Sequence, residues 1–484
     1  MLPPVFNDLQ PASVWAHFAT LCAIPRPSKG EARLREHLKT WAVARGLATS
    51  VDAVGNLIVR KPASAGRELA PGVVLQSHLD MVCQNNADTP HDFTCDPITP
   101  VLRDGWLVAE GTTLGADNGI GVALMLAVLE DSRLVHGPIE ALFTVDEESG
   151  MGGVRGLAPG VLQSQLMLNL DTEEWGEFYL GCAGGVDVNV HRSGVVEAVP
   201  EGYAGMRVSV RGLRGGHSGV NIHEGRGNAI KLLVRAVRRL ERQWRIRLAT
   251  LHGGTARNAL PREAVATLAL PVEAVSSLGD VLAELQLAFR TELAGIDGKV
   301  SVSCTPCEVA NVMSNAEQAL WLASLHAAPQ GVRRMSVQVP GVVETSDNLG
   351  VVQLSPESGT CNFMVRSLVD SAGQELADEI VSLFSLSGTV AEQVGHYPGW
   401  APNPASPLLA VCQSVFRETF GGESKTQVIH AGLECGIIGG KYPGLDMVSF
   451  GPTIHGAHAP GEAVEVASVE RCWRLLKAIL AVID

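Results

Sequence analysis

The sequence predicts an α/β domain with a central mixed sheet that is interrupted by an inserted α+β domain. At both ends of the chain, short apolar runs that end in polar residues alternate with helical segments, as in sheets covered by helices. The middle of the chain follows the order β-α-β-β-α-β of a ferredoxin-like unit. A length of 484 residues also exceeds what one core usually supports. We therefore predict a first domain built from residues 1–184 and 399–484, with residues 185–398 inserted between them.

Composition and charge argue against several classes of protein. The chain has 51 acidic residues against 37 lysines and arginines, and this net charge of -14 argues against partners such as nucleic acid or an anionic membrane. Residues 1–6 lack the basic and apolar regions of a secretory signal, and the most apolar helical run, 119–129, is too short to span a bilayer. The ten cysteines have no disulfide spacing, which suits a reducing compartment. We expect a cytoplasmic protein.

Periodicity and breaks place the elements of the first part. Helical periodicity runs over residues 13–46 and again over 120–129. The predicted strands are 56–60, 73–75, 139–145 and 166–170. Polar residues follow the last three of these strands directly, so each strand can deliver side chains to one edge of a sheet, where α/β proteins hold their ligands.

The first of these strand ends is Gln76–Asp80, which follows the apolar run Val73–Leu75. His78 is a candidate metal ligand. Asp80 lies two residues later and so points to the same side of an extended chain, where its carboxylate can accept the other imidazole N–H. A histidine at a strand end is also commonly an ordinary hydrogen-bonded residue, so this pair indicates a metal only together with further ligands.

Asp117 stands in a glycine-flanked turn directly before the apolar helix 120–129. An aspartate in this place is typical of a helix N-cap. The same carboxylate could also cap the helix while bridging two cations. The turn alone leaves both interpretations open.

Carboxylates follow the next two strands as well. Strand 139–145 ends in Asp146, Glu147 and Glu148, and strand 166–170 ends in Asp171. Three successive carboxylates repel one another, and burying them without compensation is costly. A solvated loop is the alternative, but the nearby glycines allow close packing around them. One histidine and several carboxylates at one edge are what a dinuclear metal site requires.

The inserted segment carries a further candidate, His217. The predicted strands of its β-α-β-β-α-β unit are 206–211, 245–251, 264–270 and 299–304, with helices 228–242 and 278–293. A comparable order recurs over residues 315–396, although no sequence repeat supports it. His217 lies in the glycine-rich loop Arg214–Gly219, where an imidazole is better placed to contact a ligand than to fill a core. A surface histidine is the alternative.

The last part of the chain resumes the α/β rhythm. Helices are predicted over 408–420 and 466–483, and strands over 426–430 and 447–450. Two histidines, His455 and His458, follow the last strand. The residues alone leave open which of them completes the metal site.

Six motifs, in their order along the chain, resemble the dinuclear-zinc aminopeptidase, carboxypeptidase and aminoacylase superfamily. They are His-x-Asp, Gly-Ala-Asp-Asn-Gly, Asp-Glu-Glu-Ser-Gly, Asn-Leu-Asp, Gly-Gly-His-Ser-Gly and a late His-x-Pro-x-Glu. Within it the chain is most similar to the cytosolic aminoacyl-histidine (Xaa-His) dipeptidases, also called peptidase D or β-alanyl-histidine dipeptidases. The similarity spans nearly the whole chain, including residues 429–436. It implies a zinc-peptidase-type α/β catalytic domain and an inserted lid that also forms a homodimer.

The resemblance also implies the metal ligands. One zinc ion would be held by His78 and Asp171, the other by Glu148 and His458, and both by the bridging Asp117. His458 is preferred to His455 because the family's last ligand stands four residues before a glutamate, here Glu462. Manganese or cobalt are possible substitutes for the two zinc ions.

Two further residues of the catalytic domain receive roles from the resemblance. Asp80 would orient His78. Glu147 would be the general base that takes a proton from a water bridging the cations and returns it to the leaving amine. The implied activity is hydrolysis of the peptide bond of Xaa-His and related dipeptides, including β-alanyl-histidine.

The resemblance assigns weaker roles to residues around the substrate. His217 would stabilise the oxyanion of the tetrahedral intermediate, often across the dimer. Asn258 and Arg366 would hold the peptide from the lid, with Arg366 suited to a bidentate grip on the terminal carboxylate. Gly432 and Glu434 would line the pocket from the catalytic domain.

Two alternatives share this scaffold. Another hydrolase of the superfamily, such as an aminotripeptidase or an N-acyl amino-acid deacylase, would keep the metal residues and differ in the lid. A non-catalytic peptide-binding protein is the second alternative. The presence of Glu147 argues against it.

Overall fold

The computed structural model describes residues 3–484, which form two compact units. Of the described residues, the first unit comprises 3–182 together with Trp400–Val428 and Leu433–Asp484. The second unit comprises Ala183–Gly399 and the short segment Ile429–Gly432. No helix within residues 3–484 is both long and apolar enough to cross a membrane.

The helices match the predicted ones closely, with one correction. Residues 13–46 form two helices rather than one continuous stretch, because Pro25 and Pro27 lack the backbone N–H that a helix needs. Short 3₁₀ helices occupy Pro4–Phe6, Ile222–Glu224 and Val272–Ala274. The α-helices are α1 Ala12–Ala23, α2 Ala32–Val43, α3 Ala116–Glu130, α4 Gly152–Gly156, α5 Ala229–Gln243, α6 Val275–Glu292, α7 Asn315–Ala327, α8 Asp370–Ser385, α9 Pro407–Phe420, α10 Glu434–Lys441 and α11 Val466–Val482.

The strands fall into two large sheets and three small ones. The strands up to β13 are β1 Ala48–Val51, β2 Leu57–Lys61, β3 Val73–His78, β4 Pro100–Arg103, β5 Trp106–Ala109, β6 Ile139–Thr144, β7 Leu166–Asn169, β8 Glu177–Cys182, β9 Gly184–Ser193, β10 Val196–Ala198, β11 Tyr203–Arg211, β12 Gly216–His217 and β13 Arg247–Gly253. The others are β14 Ala259–Leu260, β15 Ala264–Pro271, β16 Ser301–Pro306, β17 Asn311–Met313, β18 Gly331–Met335, β19 Val343–Leu354, β20 Ser358–Ser367, β21 Val390–Tyr397, β22 Lys425–Ile429, β23 Asp446–Ser449, β24 Ile454–His455 and β25 Ala463–Glu465.

The first unit is built on an eight-stranded mixed sheet with the order β1-β2-β6-β3-β7-β23-β8-β22. Strand β3 runs parallel to both β6 and β7, and β23 runs parallel to β7. The carboxyl ends of β3, β6 and β7 therefore lie at the same edge of the sheet. Residues 118–129 of helix α3 are all buried, as the apolar run 119–129 requires.

A small four-stranded sheet in the first unit, β24-β25-β5-β4, was not predicted. Strands β4 and β5 form a hairpin that turns at Asp104 and Gly105, both with positive φ (47° and 83°). An Asp-Gly pair between apolar residues is a strong hairpin signal, so the sequence did contain the information. Strand β25 pairs with β5 and leads directly into helix α11.

The second unit is built on a sheet with the order β16-β11-β15-β13-β19-β20-β9-β21. Strands β11, β13, β15 and β16 with helices α5 and α6 form the predicted β-α-β-β-α-β unit. A second β-α-β-β-α-β set in the same sheet consists of β9, α7, β19, β20, α8 and β21. Its first strand, β9, precedes the whole first set in the sequence. The two halves join where β13 pairs with β19.

Candidate metal centre

His78 ends strand β3 and is 1% exposed. Its Nδ1 lies 3.2 Å from the backbone carbonyl of Asp80 and 3.5 Å from the Asp80 carboxylate. The carbonyl, rather than the predicted carboxylate, is thus the closer acceptor for the ring N–H. The Asp80 carboxylate accepts hydrogen bonds from the Ser28 hydroxyl (2.7 Å) and from the backbone N–H groups of Glu147 and Glu148 (both 3.1 Å). Asp80 therefore joins the end of β3 to the loop after β6.

Those contacts keep Asp80 charged. Burial opposes its ionisation, but the interactions with His78 and the hydrogen bonds from Ser28 and Glu147 outweigh burial and lower the pKa of Asp80 to about 2. A carboxylate held in this way stays ionised at neutral pH. It supports the orientation of the His78 ring.

Asp117 lies between two histidines. Its Oδ1 is 3.1 Å from His78 Nε2, and its Oδ2 is 3.0 Å from His458 Nε2. The alternative that Asp117 caps helix α3 is wrong, because its two oxygens contact His78 and His458 and neither accepts a backbone N–H of the helix. The N–H groups at this helix start are bound by the Glu462 carboxylate instead.

Each histidine also faces a second carboxylate. His78 Nε2 is 3.3 Å from Asp171 Oδ1, and His458 Nε2 is 3.2 Å from Glu148 Oε2. The Asn118 side chain also donates to Asp171 Oδ1. The five predicted ligands thus form two groups that share Asp117.

Distances and charges fit a pair of divalent cations. Ligands at 2.0–2.1 Å from a tetrahedral zinc ion are about 3.3 Å apart, and the four histidine–carboxylate distances are 3.0–3.3 Å. Because Nδ1 of His78 donates to a carbonyl, Nε2 is the ring atom that faces the two carboxylates, and it is placed to bind either a proton or a cation between them. Glu148 Oε1 is also buried, with no hydrogen-bond partner among the described residues.

Neighbouring carboxylates raise the pKa of both proposed histidine ligands. Burial opposes the charged form of His78, but Asp171, Asp117 and Asp80 outweigh burial and raise the pKa of the ring well above its usual value. The neighbouring Asp117 and Glu148 raise the pKa of His458 to about 11, although its side chain is 55% exposed. The same negative charges that hold a proton on these rings would favour a metal ion in its place.

Glu147 lies beside this group on the loop after β6. Burial, together with the charges of Glu148, Asp171 and Glu434, raises the pKa of Glu147 well above its usual value. A raised pKa brings a carboxylate closer to the range in which it can accept and return a proton at neutral pH.

His455, the other histidine considered for the last ligand, lies elsewhere in the first unit. Its ring stacks on Trp106, with the two ring centroids 4.6 Å apart. It is also exposed. The geometry therefore favours His458.

Further acidic residues of the first unit lie near the centre. Glu434 is fully buried and accepts hydrogen bonds from Gln76 and Thr144, the latter at 2.6 Å. Burial raises the pKa of Glu434 to about 8, and burial with the nearby charge of Asp117 raises that of Glu173 to about 8. Glu173 was missed by the sequence analysis, although it directly follows the Asp-Thr pair that contains a predicted ligand.

Four predicted substrate residues lie in the second unit, and two of them, His217 and Arg366, meet. His217 Nδ1 accepts the backbone N–H groups of Gly219 and Val220 (3.2 and 3.1 Å), so the neutral ring carries its proton on Nε2. That Nε2 lies 3.4 Å from Arg366 Nη2, and Arg366 Nη1 donates to the Tyr397 hydroxyl (3.0 Å). Two donors side by side are suited to bind an anionic oxygen.

The other two residues predicted to line a substrate site are placed by their backbone. Asn258 uses its carbonyl to accept the N–H of Ser218 (2.8 Å), directly beside the Gly216–His217 strand. Gly432 ends the short segment that belongs to the second unit and follows Ala431, whose carbonyl accepts the N–H of Ala183 (3.0 Å).

Comparisons with known proteins agree with the resemblance seen in the motifs. Residues 74–482 match the model of peptidase family M20/M25/M40. The chain is 44% identical over 477 residues to the cytosol non-specific dipeptidase of Escherichia coli (strain K12), covering 98% of each chain.

Solved structures agree as well. The aminoacylhistidine dipeptidase of Vibrio alginolyticus matches with a TM-score of 0.88 and 43% identity, covering 99% of this chain and 98% of the other. The aminopeptidase PepT of Bacillus cereus ATCC 10987 matches with a TM-score of 0.57 at 17% identity, covering 98% of each chain, and shows the same fold. The predicted fold class and family resemblance are confirmed, and the chain belongs to peptidase family M20/M25/M40.

Proposed function

We propose that this peptidase is a metal-dependent dipeptidase that hydrolyses Xaa-His and related dipeptides, including β-alanyl-histidine. The observation that carries the proposal is the pair of histidine–carboxylate groups that share Asp117. The names of the similar proteins from Escherichia coli and Vibrio alginolyticus support the dipeptide substrate. Family membership supports peptide hydrolysis.

The proposed ligands would hold two divalent cations, most simply zinc. Imidazole nitrogen and carboxylate oxygen are, together with thiolate sulfur, the usual ligands of zinc in proteins. Bound cations would polarise the scissile carbonyl and lower the pKa of water. Three ligand carboxylates offset most of the four positive charges, so the loaded site is close to neutral. The ligand set is His78, Asp117, Glu148, Asp171 and His458.

Proton transfer falls to Glu147. Its carboxylate takes one proton from the attacking water, whose oxygen forms a bond to the scissile carbonyl carbon. The same proton then passes to the amide nitrogen, the C–N bond breaks, and the free amine and carboxylic acid leave. Asp80 holds the His78 ring and the backbone of Glu147 in place throughout.

The second unit is proposed to act as the lid and dimerisation domain, within residues 185–398. His217 Nε2–H would donate to the oxyanion that develops on the carbonyl oxygen. Arg366 would bind the terminal carboxylate of the dipeptide. Substrates without a carboxylate within reach of its guanidinium would therefore be excluded. Asn258, Gly432 and Glu434 would complete the substrate site. We place the protein in the cytoplasm as a homodimer.

Metal analysis combined with a substrate panel tests the proposed function. The purified protein, supplied in parallel with zinc, manganese or cobalt, is assayed with β-alanyl-histidine, several α-dipeptides, a tripeptide and an N-acetyl amino acid. We expect metal-dependent hydrolysis of dipeptides that a chelator abolishes and added metal restores. Preference for the tripeptide or the acyl amino acid would indicate another hydrolase of the superfamily. Absence of turnover with all three metals would indicate a peptide-binding protein.

Replacing His217 with alanine is expected to lower kcat by roughly 10²–10³, the usual loss for one oxyanion donor. The exposed His252 of the same unit supplies the control, since His252→Ala should leave kcat unchanged. Metal content should stay at the wild-type level in both variants. An unchanged kcat in His217→Ala would remove this residue from the mechanism.

A further inference from the structure

A buried arginine joins the two loops that carry His78 and Asp117. Arg26 lies between helices α1 and α2 and is 3% exposed. Its Nη1 donates to the carbonyls of Leu79 (2.9 Å) and Asp80 (2.8 Å), and its Nη2 donates to the carbonyl of Gly115. The Asp80 carbonyl is the same one that accepts the ring N–H of His78. One guanidinium therefore fixes both the acceptor that orients His78 and the turn before Asp117.

A buried glutamate holds that turn from its other side. Glu462 is 2% exposed, and its two carboxylate oxygens accept the backbone N–H groups of four successive residues. The donors are Leu114 (2.8 Å), Gly115 (2.9 Å), Ala116 (2.8 Å) and Asp117 (3.2 Å). Gly115 is thus bound twice, through its N–H by Glu462 and through its carbonyl by Arg26.

The glycines of the Gly-Ala-Asp-Asn-Gly motif leave room for the guanidinium. Gly115 has a φ of +70°, and a Cβ at this position would lie 2.4 Å from Arg26 Nη2. A Cβ on Gly119 would lie 2.7 Å from the same nitrogen. Both distances are far below van der Waals contact. The motif therefore accommodates Arg26 as well as presenting Asp117.

Each of these two buried charges is compensated by hydrogen bonds to the main chain. An isolated buried charge is costly unless it is paired and fully hydrogen-bonded. Arg26 and Glu462 carry opposite charges within electrostatic reach of each other. Their hydrogen bonds go to main-chain atoms, so they fix the course of the backbone rather than the chemistry of one side chain.

We propose that Arg26 and Glu462 form a positioning pair that sets the separation between His78 and the bridging Asp117, and so the geometry of the cation site that these two ligands share. The inference rests on the proposed function of this centre. His78 Nε2 and Asp117 Oδ1 are only 3.1 Å apart, and they reach this distance from loops separated by 39 positions in the sequence. Small displacements of either loop would break a ligand geometry that tolerates only tenths of an ångström.

Two variants and one matched control test the pair. Arg26→Lys keeps the charge but loses the forked donor set, and Glu462→Gln replaces one of two acceptor oxygens by a donor that faces N–H groups. Arg60→Lys is the control, since Arg60 also donates to a glutamate and to a backbone carbonyl of the first unit. Zinc affinity of the metal-free proteins is measured by calorimetry, folding by circular dichroism, and kcat and KM with β-alanyl-histidine.

Both variants should fold and bind zinc about 10–100-fold more weakly, the usual loss for residues that orient metal ligands. At saturating zinc, kcat should still be reduced while KM changes little, and Arg60→Lys should match the wild type. In Arg26→Ala, millimolar guanidinium should restore part of the zinc affinity, and an equal concentration of ammonium should not.

Wild-type zinc affinity in the folded variants would overturn the positioning pair while leaving the proposed function intact, provided the wild type binds zinc and turns over. A wild type that binds no zinc would overturn both. If only one variant folds, its zinc affinity alone tests the proposal, because both residues bind the same backbone segment. Loss of folding in both would also overturn the proposal, since the pair would then hold the unit together rather than place its ligands.

Discussion

Replacing Asp117 with alanine is expected to remove both bound cations and all measurable dipeptide hydrolysis. Asp117 gives one oxygen to the side of His78 and the other to the side of His458, at 3.1 and 3.0 Å. Its loss leaves each proposed cation with two protein ligands, fewer than the three that catalytic zinc sites usually have. Metal analysis after dialysis, together with turnover of β-alanyl-histidine, measures both effects.

Two histidines three positions apart provide the comparison for this result. His458→Ala should weaken one cation site and leave the other partly filled, because His78 and Asp171 keep their positions. His455→Ala should change neither metal content nor turnover, since this ring stacks on Trp106. An Asp117→Ala protein that retains wild-type metal content would contradict the shared site. So would a metal loss in His455→Ala equal to that in His458→Ala.

The edge of the sheet that carries this centre could be predicted because its strands are recognisable from the local sequence pattern. Strands β3, β6 and β7 are short apolar runs, and each is followed by histidine or carboxylates. Parallel neighbours must present those ends at one edge, which the register of β3 with β6 and β7 shows. Local pattern and sheet geometry together were therefore enough to gather His78, Glu148 and Asp171.

The residues that hold this edge in place left no such pattern. Arg26 binds the carbonyl of Gly115, 89 positions away, and Glu462 binds N–H groups about 345 positions away. Their partners are backbone atoms, which every residue possesses, so no residue type marks the other end of the contact. Glu462 was used only to choose between two histidines. Its four hydrogen bonds explain why the Asp117 side chain need not cap the helix.

The second half of the large sheet was only partly predictable for a topological reason. Its first strand, β9, is separated from helix α7 by the entire first β-α-β-β-α-β unit. A search for a repeat in consecutive order therefore finds the later elements without their first strand. The pairing of β9 with β20 and β21 completes the set only in three dimensions. The strand was missed because the first set is inserted into the second in the sequence, and not because its own periodicity is weak.

A Glu147→Gln variant is expected to keep its metal content, while its kcat falls by a factor of about 10²–10⁴, the usual contribution of a general base. The amide has the shape of the carboxylate but cannot take a proton from water. The loop should stay in place, because the backbone N–H groups of Glu147 and Glu148 still bind Asp80. Steady-state kinetics with β-alanyl-histidine and metal analysis of the same preparation measure the two quantities.

The neighbouring carboxylates show how specific this effect should be. Glu148→Gln should lose metal, because Glu148 faces His458 at 3.2 Å, whereas the exposed Glu174→Gln should behave as the wild type. Burial and the neighbouring carboxylates raise the pKa of Glu147, whereas the positive charge of bound cations would lower it. A Glu147→Gln protein with kcat within a few-fold of wild type would exclude this role. Loss of metal from that variant would instead make Glu147 a ligand.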